Sequence, residues 1–180
     1  MKRIFIGSFV EGKDILKNYT KIKKDFSGIL KGRWTKNRNL HITYKFLGNT
    51  SDEKISEVKL KLKDILNRSI NVNLTFQGIS AFPNLKSPKV VFIKVKDKDN
   101  VLTDIHNQIN EKLSLIGFEK DNKPFIPHIT IKRPKFVQEE KFISMVEKYE
   151  NKIIGKMKNI EINIIESILT PEGAVYKKLS

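Results

Sequence analysis

Residues 39–48 read Asn-Leu-His-Ile-Thr-Tyr-Lys-Phe-Leu-Gly, and residues 125–132 read Phe-Ile-Pro-His-Ile-Thr-Ile-Lys. Each run is rich in β-branched and aromatic residues, and each carries the same word, His-Ile-Thr, at 41–43 and at 128–130. The separation, 128 − 41 = 87 residues, is about half the chain, as an internally duplicated, two-lobed protein would show. Side chains alternate faces along a strand. His41, Thr43 and Lys45 are therefore expected on one polar face, with Leu40, Ile42, Tyr44 and Phe46 turned into a core. In the second run His128, Thr130 and Lys132 share a face opposite Ile129 and Ile131.

Outward from these runs, strands and helices alternate. Residues 2–10 (KRIFIGSFV) and 39–47 read as strands, separated by a helix from about Lys13 to Phe26 that ends near Gly28 and Gly32. Thr50 followed by Glu53 has capping-box spacing, and Ile55, Val58, Leu62 and Ile65 continue a helix to about Asn67. Strands follow at 70–79 and 89–96, split by Pro83, Asn84 and Pro88. A helix from about Asn100 to Ile116 puts Leu102, Ile105, Ile109, Leu113 and Ile116 on one stripe. A strand at 125–132, a helix at 137–149 and strands at 156–169 and 174–179 complete the chain. Adjacent strands at 70–79 and 89–96 break any clean βαβ repeat. The expected class is α+β, a single domain over residues 1–180 with mixed, largely antiparallel sheets and helices outside.

The 180 residues include no cysteine, which removes thiolate nucleophiles and cysteine-held metals and fits a reducing compartment. No run approaches the roughly 18–20 apolar residues of a membrane span, and the N-terminus lacks the cleavage pattern of a signal peptide. A cytoplasmic location is expected. The formal net charge of +15, from 35 basic and 20 acidic residues, attracts polyanions, with RNA or DNA first among them.

His41, His106 and His128 are the three histidines. His106 lies beside an apolar stripe and reads as a boundary or partly buried structural residue; Trp34 and Phe82 read as core residues, with stacking of a terminal base on either as the alternative. The other two suit cleavage of a phosphodiester: a neutral imidazole takes a proton from water while a protonated one gives a proton to the departing oxygen. Threonine hydroxyls and nearby cations would hold the non-bridging oxygens. No third histidine in motif context and no His-x-x-Glu-type cluster suggests a metal site.

These residues resemble the two-histidine phosphoesterase superfamily, and within it the RNA 2′,3′-cyclic phosphodiesterases, or 2′-5′ RNA ligase-like proteins. The likeness runs through Ile4–Phe9, Arg33-Trp34, Asn39–Gly48, Gly78–Pro83, Gly117-Phe118, Pro127–Ile131, Glu166–Leu169 and Gly173–Tyr176. It implies a bilobal, pseudo-twofold α+β fold whose two histidines project into a central cleft. It also implies opening of an RNA terminal 2′,3′-cyclic phosphate to a 2′-phosphate, without metal or other cofactor. His41 would be the proton donor to the 3′ oxygen and His128 the base for water, with Thr43, Thr130, Arg133 and Lys45 on the phosphate. Strict alternation puts Arg133 opposite His128, against the resemblance, so either the strand twists or bulges before Pro134 or Arg133 plays no direct part. Reversible 2′-5′ joining of tRNA fragments, action on small cyclic nucleotides, and RNA binding alone are the alternatives. A monomer is expected.

Overall fold

Residues 1–179 are described in the computed structural model. The chain begins β1 (Lys2–Phe9), α1 (Lys13–Asp25), β2 (Leu30–Lys31), β3 (His41–Thr50), α2 (Asp52–Lys61) and β4 (Ser69–Phe82). It continues β5 (Val90–Asp97), α3 (Val101–Ser114), β6 (His128–Lys132), β7 (Phe136–Val137), α4 (Glu139–Tyr149), β8 (Ile153–Glu161), β9 (Asn163–Thr170) and β10 (Gly173–Lys178). Eight strands form one sheet in the order β10-β9-β1-β3-β6-β5-β4-β8, and β2 pairs with β7 in a separate ribbon. All of these pairings are antiparallel. The fold is α+β.

Apolar stripes place the helices. Ile15, Tyr19 and Ile22 of α1, Ile55 and Val58 of α2, Leu102, Ile105, Ile109 and Leu113 of α3, and Phe142, Val146 and Tyr149 of α4 all join one core. Ile4, Ile6, Ile42, Ile93 and Ile129 belong to the same core, so the helices cover one face of the sheet. Phe5, Phe92 and Ile165 are just as buried but stand outside that core, on the opposite face. The sheet itself covers them. β8 ends the sheet on one side and β9 lies near the other end, yet only Ile162 separates them in the chain. The sheet must therefore curl until its ends approach.

The structure moves several expected boundaries. The single strand expected at 156–169 is two, because the chain changes sheet edge at Ile162. The helix after β3 is capped by Ser51, whose Oγ accepts from Lys54 N at 3.2 Å, while Thr50 closes the strand. Leu62 terminates that helix. The strand expected from residue 125 starts at His128, since Pro127 has no N–H to give a ladder. The β2–β7 ribbon was not legible in the sequence; two-residue strands carry no periodicity.

The 87-residue offset extends beyond the histidines. Ile15, Tyr19, Ile22 and Phe26 on and after α1 match Leu102, His106, Ile109 and Leu113 on α3 at that same separation, and all eight are buried. Phe5 matches Phe92.

Each histidine strand also carries a β-bulge three residues after its histidine. Gly7 pairs with Thr43 but Ile6 with Lys45, so Tyr44 is an extra residue. Phe92 pairs with Thr130 but Val91 with Lys132, so Ile131 is the counterpart. A bulge resets the alternation of faces. The extra residues' carbonyls are held reciprocally across the two halves of the chain. His106 Nδ1 of α3 donates to Tyr44 O at 2.7 Å, and the Tyr19 hydroxyl of α1 lies 3.2 Å from Ile131 O and 2.8 Å from Thr35 O. Asn110 Nδ2 donates to His106 Nε2 at 3.1 Å, which fixes the imidazole's tautomer. His106 is thus structural, as its sequence context suggested. Tyr19→Phe is expected to cost about 1–2 kcal/mol by leaving buried carbonyls short of a donor. Urea unfolding checks it, and an unchanged midpoint would show the hydroxyl holds nothing.

Candidate active site

Ile42 of β3 pairs with Ile129 of β6 at the centre of the sheet. Continuing that antiparallel register by one residue each way sets Thr130 across from His41 and Thr43 across from His128. Directly opposed residues have Cβ atoms roughly 4.5–5.5 Å apart. One contact between two isoleucines therefore gathers both histidines and both threonines onto the face free of helices, as the alternation of each strand implied.

Each imidazole is oriented in the same way. His41 Nδ1 lies 2.6 Å from Asn39 O, and His128 Nδ1 lies 2.8 Å from Ile126 O, in each case the carbonyl two residues back. A carbonyl only accepts, so Nδ1 carries the proton and Nε2 is left to exchange protons with a bound molecule. Two aromatic rings hold each imidazole. Phe5 and Tyr176 have centroids 4.9 Å from His41, tilted at 40° and edge-on at 88°. Phe92 and Phe82 stand 5.1 Å from His128, at 58° and 84°. Gly7 leaves room for the Phe5 ring: a Cβ there would come within 3.0 Å of it and 2.7 Å of Ile42 O. Sequence reasoning missed Phe5, Phe92 and Tyr176 as site residues. The repeat of Phe5 at Phe92, 87 residues on, was the signal available.

Burial sets the electrostatics. His41 is only 9% exposed, and desolvation pushes its pKa down to about 4 against the pull of the Asn39 carbonyl, with His128 and Arg133 adding to the fall. His128 is lowered as well, first by burial and then by Arg133. The same guanidinium acts on Tyr176, whose pKa burial raises. Arg133 thus lies near enough for its charge to be felt by both histidines and Tyr176. The bulge at Ile131 is the reason: Ile131 and Lys132 both turn to the helix face, and Arg133 returns to the open one. Alternation without the bulge gave the opposite answer.

The bulge at Tyr44 corrects the expectation for Lys45. Its side chain is 3% exposed and points to the helix face, where Nζ donates to Asn110 Oδ1 at 2.6 Å and Glu119 O at 2.8 Å and pairs with Asp121 at 3.2 Å. It does not reach the histidines; it ties down the segment leading to His128. Lys132, 2% exposed, is equivalent: Nζ donates to Gly32 O at 2.5 Å and sits 4.1 Å from the Trp34 ring centroid. The next position differs between the halves. Phe46 is 65% exposed beside Phe5, where the second half has Arg133. Among the described residues no group of three or more His, Cys, Asp or Glu side chains could hold a metal ion, and no helix is long and apolar enough to cross a membrane.

Known proteins resemble this chain in sequence and in fold. The family model described as the 2′-5′ RNA ligase superfamily matches residues 23–152. An RNA 2′,3′-cyclic phosphodiesterase of Archaeoglobus fulgidus is 35% identical over 177 residues, covering 98% of this chain and 97% of that protein. A protein of the same name from Methanocaldococcus jannaschii is 38% identical over 140 residues, 77% of each chain. Among solved structures, E. coli LigT complexed with 3′-AMP superposes with a TM-score of 0.76 at 22% identity, over 99% of this chain and 95% of that one. TT0787 of Thermus thermophilus gives 0.79 at 20% identity, with the same coverage. These two likenesses carry the fold, and the sequence matches carry the kinship: this chain belongs to the 2′-5′ RNA ligase superfamily of two-histidine phosphoesterases.

Proposed function

We propose that the chain hydrolyses the 2′,3′-cyclic phosphate at an RNA 3′ end to a 2′-phosphate, by general acid–base catalysis without a metal. The observation that carries the reading is the matched pair of imidazoles. Both are tied through Nδ1 to a backbone carbonyl two residues back, so both offer Nε2 on one face. The names of the relatives in Archaeoglobus and Methanocaldococcus support the substrate. In this reading the domain is a duplicated, pseudo-twofold one, which the constant 87-residue offset supports, and it acts as a cytoplasmic monomer.

The balance of the step assigns the roles. Water oxygen forms a bond to phosphorus as the bond from phosphorus to O3′ breaks. His128 Nε2 takes the water proton, and His41 Nε2 gives a proton to O3′. The products are a 2′-phosphomonoester and a 3′ hydroxyl. Thr43 and Thr130 donate to the non-bridging oxygens, and Arg133 offsets their charge. His41, held by burial at a pKa of about 4, needs help to be a donor. A bound phosphodiester supplies it, because an anion beside both rings favours the imidazolium and offsets Arg133.

Short RNA ending in a 2′,3′-cyclic phosphate, incubated with the protein in EDTA, is expected to yield a 2′-phosphate by phosphorus NMR. A 3′-phosphate product, or loss of activity in EDTA with recovery in zinc or manganese, sinks this reading. His41→Ala and His128→Ala are each expected to lower kcat by about 10² to 10⁴-fold while circular dichroism stays native. Near-normal turnover in either would remove that histidine from the chemistry. The pH dependence has a defined sign. Both free-enzyme histidines are depressed, so kcat/KM should be bell-shaped with both limbs below the ordinary histidine value of 6.5 and the limb that reports His41 near 4. The kcat profile should lie at higher pH, since the bound anion raises both. A kcat/KM optimum above about pH 7 would contradict the buried-histidine site.

A further inference from the structure

The net charge is not spread evenly. Residues 26–51 contain five basic side chains and no acidic one, and residues 122–138 contain four and no acidic one. These two stretches carry +9 of the net +15, and each contains one of the site histidines. They also meet in space. Leu30 pairs with Val137 and Lys31 with Phe136 in the β2–β7 ribbon, and Trp34 bridges to Lys132. The ribbon abuts the site cation: a Cβ on Gly32 would lie 3.2 Å from Arg133 O, and Lys135 N donates to Lys31 O at 2.9 Å.

Lys45 and Lys132 are consumed inside the protein. Lys31, Arg33, Arg133 and Lys135 are exposed, and among the described residues none of them pairs with a carboxylate; the ion pairs use lysines elsewhere. Arg33 Nη1 donates to Pro171 O at 2.5 Å, which fixes the segment against the β9–β10 turn, beside the hairpin that carries Tyr176. Across the ribbon from Lys31 stands Phe136, 49% exposed, with Lys31 Nζ 5.2 Å from its ring centroid. Cations without acidic partners, one of them over an exposed aromatic ring, match one ligand chemistry. Single-stranded nucleic acid offers phosphates at intervals and a base with a π-face between them.

We propose that the β2–β7 ribbon is the docking track for the single-stranded RNA that leads into the histidine face, with Lys31, Arg33 and Lys135 on its phosphates and Phe136 under a base. The inference rests on the cyclic phosphodiesterase reading and narrows its substrate to an oligonucleotide. A mononucleoside cyclic phosphate fills the histidine face but leaves the ribbon empty. Arg133, at the junction, serves both.

The test compares two substrates, a mononucleoside 2′,3′-cyclic phosphate and an RNA of about eight nucleotides ending in the same group, between about 50 and 200 mM salt. The oligomer's kcat/KM should exceed the mononucleotide's by about tenfold or more at low salt. In the Lys31→Glu/Lys135→Glu variant that ratio should collapse. The log–log salt slope should shrink by about 1.4, from two single-strand phosphates no longer neutralised. Phe136→Ala should lower the oligomer's kcat/KM by about tenfold. A ratio near one in the wild type, or one unmoved by the double variant, overturns the track while leaving the chemistry standing. If neither substrate is opened, the phosphodiesterase reading fails, and fluorescence anisotropy of the labelled oligomer still judges the track. Binding that weakens in Lys31→Glu/Lys135→Glu supports it, and binding that does not overturns it.

Discussion

Everything at the site depends on how β3 and β6 meet. They are joined at the pair of Ile42 with Ile129, both fully buried against the helices. Because the strands are antiparallel, the residues flanking that pair exchange places: the histidine of one strand faces the threonine of the other. A slip of one residue would send all four polar side chains into the core. The isoleucines hold the register by burial. The bulges that follow then decide what else reaches the open face. With one extra residue in each strand, both lysines four positions after the histidines turn inward, and the fifth position turns out. Tyr19 and His106 brace the two bulges from opposite halves of the chain, so neither half completes its own histidine strand alone.

The cost of this arrangement is electrostatic. Two imidazoles packed among Phe5, Tyr176, Phe92 and Phe82 lose the water that would stabilise their charged forms, and a nearby guanidinium works in the same direction. Burial alone favours two neutral rings. An anion between them reverses the balance, since it replaces lost hydration with direct attraction. Burial therefore links the protonation of the donor to occupancy of the site. Carbonyl bonds at both Nδ1 atoms ensure that the proton gained appears at Nε2, facing the anion.

Much of this was legible in the sequence. A period of two in short runs placed His41, Thr43, His128 and Thr130 together correctly, because strict alternation holds from the histidine to the threonine. It failed at Lys45, Phe46, Lys132 and Arg133 for a single reason, the bulge three residues after each histidine, which no local pattern announces. Capping was misread by one residue because Thr50 and Ser51 are chemically alike, and tertiary pairing of Thr50 in β3 decided between them. The unbroken alternation Ile160-Glu161-Ile162-Asn163-Ile164 concealed a change of sheet edge that only the curl of the whole sheet explains. The aromatic clasps were recoverable in principle, from Phe5 and Phe92 at the same offset as the histidines.

Two matching histidine strands give the site two similar ends, yet opening a cyclic phosphate requires them to differ: one bond, to one ribose oxygen, must break. The symmetry is lost at the fifth position after each histidine, Phe46 in one half and Arg133 in the other. It is lost again in burial, since His41 is the more enclosed ring. Arg133 puts a positive charge on the His128 side, while the exposed Phe46 leaves the other side uncharged. Near-identical strands make the two ends alike, and the few residues that differ between them make the ends distinguishable to a charged ligand.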